Sequence, residues 1–328
     1  MKYVWVLSDL GKVGTYRQCL PLAEWLEQEH GLTVIHKSID LRGYYRWLPP
    51  QAMLVLKNPS VLQKPQASPL NPPYPDLIIA GGRQAVNAAL VLRHFCPTLV
   101  LQNPRLHPRH FTLVIPPHHD GINGKNVLST LGALHPIRPE QLQILRAQCY
   151  KGPAITVLIG GDSQHFRYTL EYIHGLAQRL HQLVKEQGHS SPTHLLITPS
   201  RRTRPELLVA LQQHLQGISY ELWDGQGENP YLRYLACADA VVVTGDSISM
   251  MSESCITGKP VYIYEIPHKS QRLKTFTQSL YTGQHACALT QDLDLQATFY
   301  RLDELTRLKP LIAPFLKDQS VIGNHPKN

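Results

Sequence analysis

The chain of 328 residues is 43% hydrophobic and carries a formal net charge of +8, with 17 histidines uncounted. That length suits two domains of ordinary size, and the apolar content supports a real core and excludes a disordered chain. The positive balance favours anionic partners, either nucleotide phosphates or an anionic membrane face, while the lack of any Lys/Arg block of five and of aromatic-interleaved RNA motifs argues against nucleic acid.

The first apolar run, Tyr3–Leu7, predicts a strand. The loop Ser8-Asp9-Leu10-Gly11-Lys12-Val13-Gly14-Thr15 follows it and leads to a helix over Arg17–Glu29. Thr33–Ile39, Leu77–Ala80, Thr98–Gln102 and Leu113–Ile115 predict further strands, with a second helix over Arg83–Phe95. This alternation is the βαβ signature of an open parallel sheet. Ligands of such sheets bind outside the strands' carboxyl ends. Arg83 after Gly81-Gly82, Arg105 after Asn103-Pro104, and the His119-Asp120 pair after Pro116-Pro117 therefore share one crevice with Asp9. Asp9, His119 and Asp120 are the candidates for moving a proton. Two adjacent histidines and one carboxylate, without HxH or HExxH spacing, do not predict a metal site.

One segment interrupts the rhythm. Tyr44–Lys57 is apolar, aromatic and basic, and 58–75 is rich in proline. Its commoner fate is to pack over the first domain. The sharper reading is a membrane-facing patch, with Trp47, Met53 and Leu54 in lipid and Arg42, Arg46 and Lys57 at the head groups.

After Tyr150-Lys151-Gly152-Pro153 the pattern restarts, which divides the chain into domains 1–150 and 151–328. Ala154–Ile159, His194–Thr198, Ser219–Leu222, Ala240–Val243 and Val261–Tyr264 predict strands. Tyr168–Gln187, Arg204–Gln216, Pro230–Ala236 and Ser247–Thr257 predict helices. The expected fold class is α/β, two Rossmann-like parallel-sheet domains facing a cleft. Beyond Thr306, two prolines and a weak pattern predict little helix. Six scattered cysteines with no CxxC predict buried free thiols. The chain opens on too short an apolar run for a signal peptide and has no run of membrane-spanning length. A cytoplasmic protein, peripheral at most on the inner membrane face, is expected.

The richest motif runs from Ala238 to Glu253. The strand Ala240–Val243 ends in Thr244-Gly245-Asp246-Ser247, and Ile248-Ser249-Met250-Met251-Ser252-Glu253 opens a helix. Such a junction presents free N–H groups and a positive dipole end to an anion, with Asp246 or Ser247 as cap. Glu253 lies about two turns in, within reach of a ribose hydroxyl. Gly160-Gly161-Asp162-Ser163 and Ser200-Arg201-Arg202-Thr203 follow two further strands of the same domain. The paired arginines suit the oxygens of a diphosphate. Asn229-Pro230-Tyr231 opens a helix in the same region.

Taken in order, Gly81-Gly82-Arg83, Asn103-Pro104-Arg105, Pro117-His118-His119-Asp120, Gly160-Gly161-Asp162-Ser163, Ser200-Arg201-Arg202-Thr203, Asn229-Pro230-Tyr231, the Thr244–Met250 stretch and Gly258-Lys259-Pro260 resemble a known family. It is that of the plant mitochondrial-fission factor called elongated mitochondria, with its bacterial relatives, and the match runs from about residue 9 to about residue 265. The family looks like the glycosyltransferase-B architecture, similar to lipid-disaccharide and Kdo transferases. The resemblance implies a donor nucleotide in the second domain, at Gly161, Ser163, Arg201, Arg202, Ser247, Ser249 and Glu253, with Asp246 beside them, and an acceptor in the first. Relatives read Gly-His-x-x-Gln in the first loop where this chain has Gly14-Thr15-Tyr16-Arg17-Gln18. Thr15 cannot take a proton at neutral pH, which leaves Asp9, His119 and Asp120 for that role.

The function expected is transfer of a sugar from a nucleotide-sugar to a membrane-linked or cell-envelope acceptor, with no metal and no further cofactor. One alternative is a non-catalytic adaptor that binds a membrane or partner. Another is a nucleotide-sugar epimerase, whose acidic pair could be drawn only from Asp120 and Glu253.

Overall fold

The alternation in β1 (Tyr3–Asp9) shows how the first unit is layered. Val4 and Val6 pack with Cys19, Leu22 and Leu26 of α1 (Val13–His30) on one face. Trp5 and Leu7 pack with Ala85, Ala88 and Ala89 of α3 (Arg83–Leu92) on the other. Both faces of the strand are buried, which is why it reads as a continuous apolar run. These features belong to a computed structural model that describes residues 1–64, 67–149, 152–163, 166–186, 193–267, 270–289, 294, 295 and 297–323.

The first unit comprises Met1–Pro136 and Asp303–Asn328, the second Ile137–Leu302. In the first, the parallel sheet runs β2-β1-β3-β4-β5, with β2 Thr33–Ile39, β3 Leu77–Gly81, β4 Thr98–Val100 and β5 Leu113–Val114. A short helix α2 (Pro50–Met53) lies between β2 and β3. In the second, the order is β11-β10-β9-β6-β7-β8, all parallel. Its strands are β6 Ala154–Ile159, β7 His194–Pro199, β8 Tyr220–Leu222, β9 Ala240–Thr244, β10 Val261–Tyr264 and β11 Cys287–Ala288. The helices are α4 Pro139–Arg146, α5 Leu170–Glu186, α6 Pro205–His214, α7 Tyr231–Cys237, α8 Ile248–Cys255 and α9 Gln271–Thr282. Each sheet reverses its order once, between β1 and β3 and between β6 and β9. Those are the points where open α/β sheets leave a crevice at the strands' carboxyl ends.

The division falls after Pro136, ahead of the junction at residues 150–151, which itself lies outside the described residues. The reason is α4, which packs against α7, where Arg146 is ion-paired to Asp239 at 2.6 Å. The same packing overturns the expectation that all six cysteines are free. Cys149 and Cys237 form a disulfide across 88 residues, because the ends of α4 and α7 bring their Cα atoms to 5.2 Å. Cys19, Cys96 and Cys255 are buried thiols, held up at about 12 by burial.

The tail is also corrected. Asp303 caps a fifteen-residue helix, α10 (Glu304–Asp318), that contains Pro310 and Pro314. Leu305, Leu308, Ile312 and Leu316 fall on one face and join the core that holds Val4, Leu22 and Leu77. Burial of that apolar face outweighs the two backbone bonds the prolines remove.

The Tyr44–Lys57 segment straps α3. Arg83 donates to the Trp47 carbonyl, Asn87 to that of Leu48 and Arg93 to that of Leu54. Met53 is fully buried and Leu54 packs on the same core, so neither is placed to enter lipid, while Trp47 is 72% exposed. Among the described residues no helix is long and apolar enough to cross a membrane.

Candidate functional site

At the switch point of the second unit, the loops after β6, β7 and β9 converge on one carboxylate. The Asp246 side chain is 1% exposed, with Arg202 Nη2 3.7 Å from Oδ2. Oδ1 accepts from the Tyr168 hydroxyl at 2.6 Å and the Thr244 hydroxyl at 2.8 Å, and Oδ2 from the Gly161 amide at 3.2 Å. A buried charge is tolerated only when paired and hydrogen-bonded in this way. Burial, and then the Asp246 charge, push the Tyr168 hydroxyl well above the usual tyrosine range, so it stays a donor.

The two glycines are steric requirements of that convergence. A Cβ on Gly160 would lie 2.0 Å from Asp246 Oδ1, and one on Gly161 2.3 Å from the carbonyl carbon of Arg202. Thr203 closes the third side by donating its hydroxyl to the Gly160 carbonyl at 2.7 Å.

The two arginines have different fates. Arg202, half exposed, is engaged, donating to the Asp162 carbonyl at 3.1 Å and facing Asp246. Arg201 is exposed and has no hydrogen bond or ion pair among the described residues. The paired fork expected from sequence is therefore one structural arginine and one available cation. Ser163 accepts from the Phe166 amide at 3.2 Å, stitching its own loop. Ser247 is the N-cap of α8, accepting from the Met250 amide at 3.3 Å, and Ser249 lies exposed in that helix's first turn. Glu253 accepts from the Tyr231 hydroxyl at 2.6 Å, which ties α8 to the start of α7. Gly161, Arg202, Asp246 and Ser247 thus sit in one connected set, with Arg201 and Ser249 exposed in two of its elements and Glu253 tied to α7.

The first unit does not gather its candidates in the same way. Asp9, at the end of β1, is buried and accepts from the Ala85 amide at 2.9 Å, capping α3. Its carboxyl is raised above the ordinary value by burial, an effect opposed by the backbone N–H groups of Ala85, Gln84 and Arg83. His119 and Asp120 share a single turn after β5, with Nε2 and Oδ1 3.9 Å apart and the imidazole 2% exposed. Three strand spacings separate β1 from β5, about 14 Å. Asp9 and the His119–Asp120 pair thus follow strands that stand three positions apart in the sheet. Thr15 lies in the first turn of α1 and donates to the Lys12 carbonyl at 2.8 Å. Among the described residues no three His, Cys, Asp or Glu side chains converge in a way that could hold a metal.

Sequence reasoning missed Tyr168 and Thr244 as the partners of Asp246, and the Tyr231 hydroxyl as the partner of Glu253. The Tyr168–Asp246 contact spans 78 residues, and no local pattern signals it.

The family model described as mitochondrial fission ELM1 matches residues 13–311. The mitochondrial fission protein ELM1 of Arabidopsis thaliana is 29% identical over 239 residues, 63% of this chain, and the match spans only 55% of the plant protein's length. Among solved structures, the UDP-GlcNAc 2-epimerase of Neisseria meningitidis, bound to UDP-GlcNAc, aligns with 99% of this chain and 95% of its own, at TM-score 0.53 and 12% identity. MurG of Acinetobacter baumannii aligns with 98% and 94%, at TM-score 0.50 and 13% identity. At such identities the likeness establishes the glycosyltransferase-B-like fold and nothing finer.

Proposed function

The chain belongs to the mitochondrial fission ELM1 family, and from that premise we propose that its second unit holds the nucleotide of a nucleotide-sugar and that the protein transfers the sugar to a membrane-linked or cell-envelope acceptor held by the first unit. The observation that carries this reading is Arg201, an exposed guanidinium without a hydrogen bond or ion pair among the described residues, in the loop whose next residue, Arg202, faces Asp246 immediately before the cap of α8. A diphosphate over that helix start would meet free N–H groups and the positive end of the dipole, with Arg201 supplying the counter-charge. Glu253, steadied by Tyr231, would take a ribose hydroxyl.

In this reading the bond between the sugar's anomeric carbon and the donor phosphate oxygen breaks, and the nucleoside diphosphate leaves with the electron pair. The acceptor oxygen bonds to that carbon and gives its proton to a base of the first unit. Arg201 and the α8 amides stabilise the departing charge. Arg202 and Asp246 act as positioning residues for the loops. Asp9 is engaged by the N–H groups of α3, so the His119–Asp120 pair is the better base.

The test is a thermal-shift panel of UDP, GDP, CMP, TDP and ADP, with and without EDTA, on wild type and Arg201→Ala. A shift of several degrees for one nucleotide, lost in the variant and indifferent to EDTA, is expected. No shift at millimolar nucleotide would sink the assignment. It would favour a second reading, the non-catalytic adaptor, which Thr15 and the engaged state of Asp9 support.

A further inference from the structure

Far from the carboxyl ends of the strands, the first unit carries a groove of about 440 Å³ at the opposite end of its sheet. Thr98 opens β4 there and Thr112 immediately precedes β5. Arg93, His94, Arg109 and His110 line it, and among the described residues the only carboxylate in the lining is Asp318, at the end of α10. The Arg93 guanidinium is fixed by donating to the carbonyls of Leu90 and Leu54. Neither Arg93 nor Arg109 is ion-paired among the described residues, and Arg109 is exposed.

The histidines report how positive this place is. His94 is held below the ordinary imidazole range by burial, then by Arg93 and Lys57. His110 is held down by burial, then by Arg109, Arg93 and His107. Two arginines, one of them held by backbone carbonyls, and two histidines line the groove, and one exposed carboxylate faces them. That balance gives the groove a positive potential that attracts anions.

We propose that this groove is a binding site for a tetrahedral oxyanion of the phosphate or sulfate class, either free in solution or carried by a lipid head group. Binding would hold His94 and His110 protonated, so affinity rises as pH falls from about 8 to about 6. The groups that set this dependence are Arg93 and Lys57 around His94, Arg93, His107 and Arg109 around His110, and Asp318 across from both. The site stands apart from the nucleotide assignment and does not rest on it.

Sulfate is the probe, because its charge does not change across this pH range. It is titrated by calorimetry at constant ionic strength against chloride, on wild type, Arg109→Ala and Arg201→Ala. A saturable component that is stronger at pH 6 than at pH 8, is weakened about tenfold or more in Arg109→Ala and persists in Arg201→Ala is expected, the scale of one lost charge-assisted hydrogen bond. Sulfate no better than chloride at pH 6, or binding indifferent to Arg109→Ala, overturns the proposal. Binding lost in Arg201→Ala instead would put the anion at α8 and overturn it equally. Co-sedimentation with phosphatidic acid vesicles, against phosphatidylcholine alone, separates the two sources. Arg109-dependent retention that sulfate displaces assigns the site to a head group, and sulfate binding without retention assigns it to a free anion.

Discussion

The Tyr168 hydroxyl donates to Asp246 Oδ1 at 2.6 Å, so the chain just before α5 anchors the turn between β9 and α8. Tyr168, Thr244 and Gly161 supply the donors that offset the burial of the Asp246 carboxylate. Tyr168→Phe removes one of them without changing shape. A hydrogen bond to a charged group contributes about 1.5–3 kcal/mol, and that is the expected loss in urea unfolding. Asp246→Asn keeps the volume and removes the charge that Arg202 faces, so the two variants together should be less than additive. Full additivity would mean that Tyr168 and Asp246 do not act as one unit.

Arg201 and Arg202 should separate binding from stability. Arg201→Ala removes no hydrogen bond or ion pair among the described residues, so its stability is expected within about 0.5 kcal/mol of wild type. Nucleotide affinity should fall about tenfold or more. Arg202→Ala leaves the Asp246 carboxylate without its facing cation and should lower the melting temperature by several degrees. A variant pair with these effects exchanged would contradict the engaged and unengaged assignments of the two guanidinium groups.

Asp9 is predicted to be a cap whose charge is a burden. Its folded carboxyl is raised above 3.8 by burial, so the folded protein holds that proton more tightly than the unfolded chain. Its contribution is full below 3.8 and is lost as pH rises through the folded value. Asp9→Asn keeps an oxygen for the Ala85 amide and does not titrate. Its stability relative to wild type should therefore improve as pH rises from about 3.5 to about 6 and then level off. Asp9→Ala leaves α3 uncapped and should cost about 1 kcal/mol at low pH, less as pH rises, while staying less stable than Asp9→Asn throughout. If sugar transfer is found and Asp9→Asn abolishes it at unchanged stability, Asp9 is the base and the cap reading fails.

The legible part of this molecule is what short-range pattern encodes. Runs such as Ala240–Thr244 are apolar because both faces of a parallel strand are covered, and the Gly, Asp and Ser residues after them mark the turns that hold the candidate site. What stayed hidden depends on pairing across the chain. Asp9 against Gly82 in the first unit and Asp246 against Gly160 in the second are the same device at the two switch points, with would-be Cβ contacts of 2.5 Å and 2.0 Å. Both aspartates and all the glycines stood out in the sequence, but not that they meet. The engagement of Arg202 and the Cys149–Cys237 bond are hidden for the same reason. For α10, local grammar pointed the wrong way, because two prolines argue against a helix until its buried face is known.

That buried face supplies the last prediction. Leu308 is fully buried on α10, in the core of a unit whose other segment ends more than 170 positions earlier in the chain, at Pro136. Leu308→Ala should cost about 2–5 kcal/mol, the range for a buried leucine whose cavity does not collapse. Replacing Pro310 by Ala restores a helix donor at an exposed position and should be neutral or stabilising. A chain ending at Leu302 would expose the partners of Leu305, Leu308, Ile312 and Leu316 in the first unit while leaving the second unit's residues complete. Limited proteolysis of that truncated chain should therefore degrade residues 1–136 first and spare 137–302. Equal resistance of both units would show that α10 adds little to the core it joins, and the helix would then be an ornament of the first unit rather than part of it.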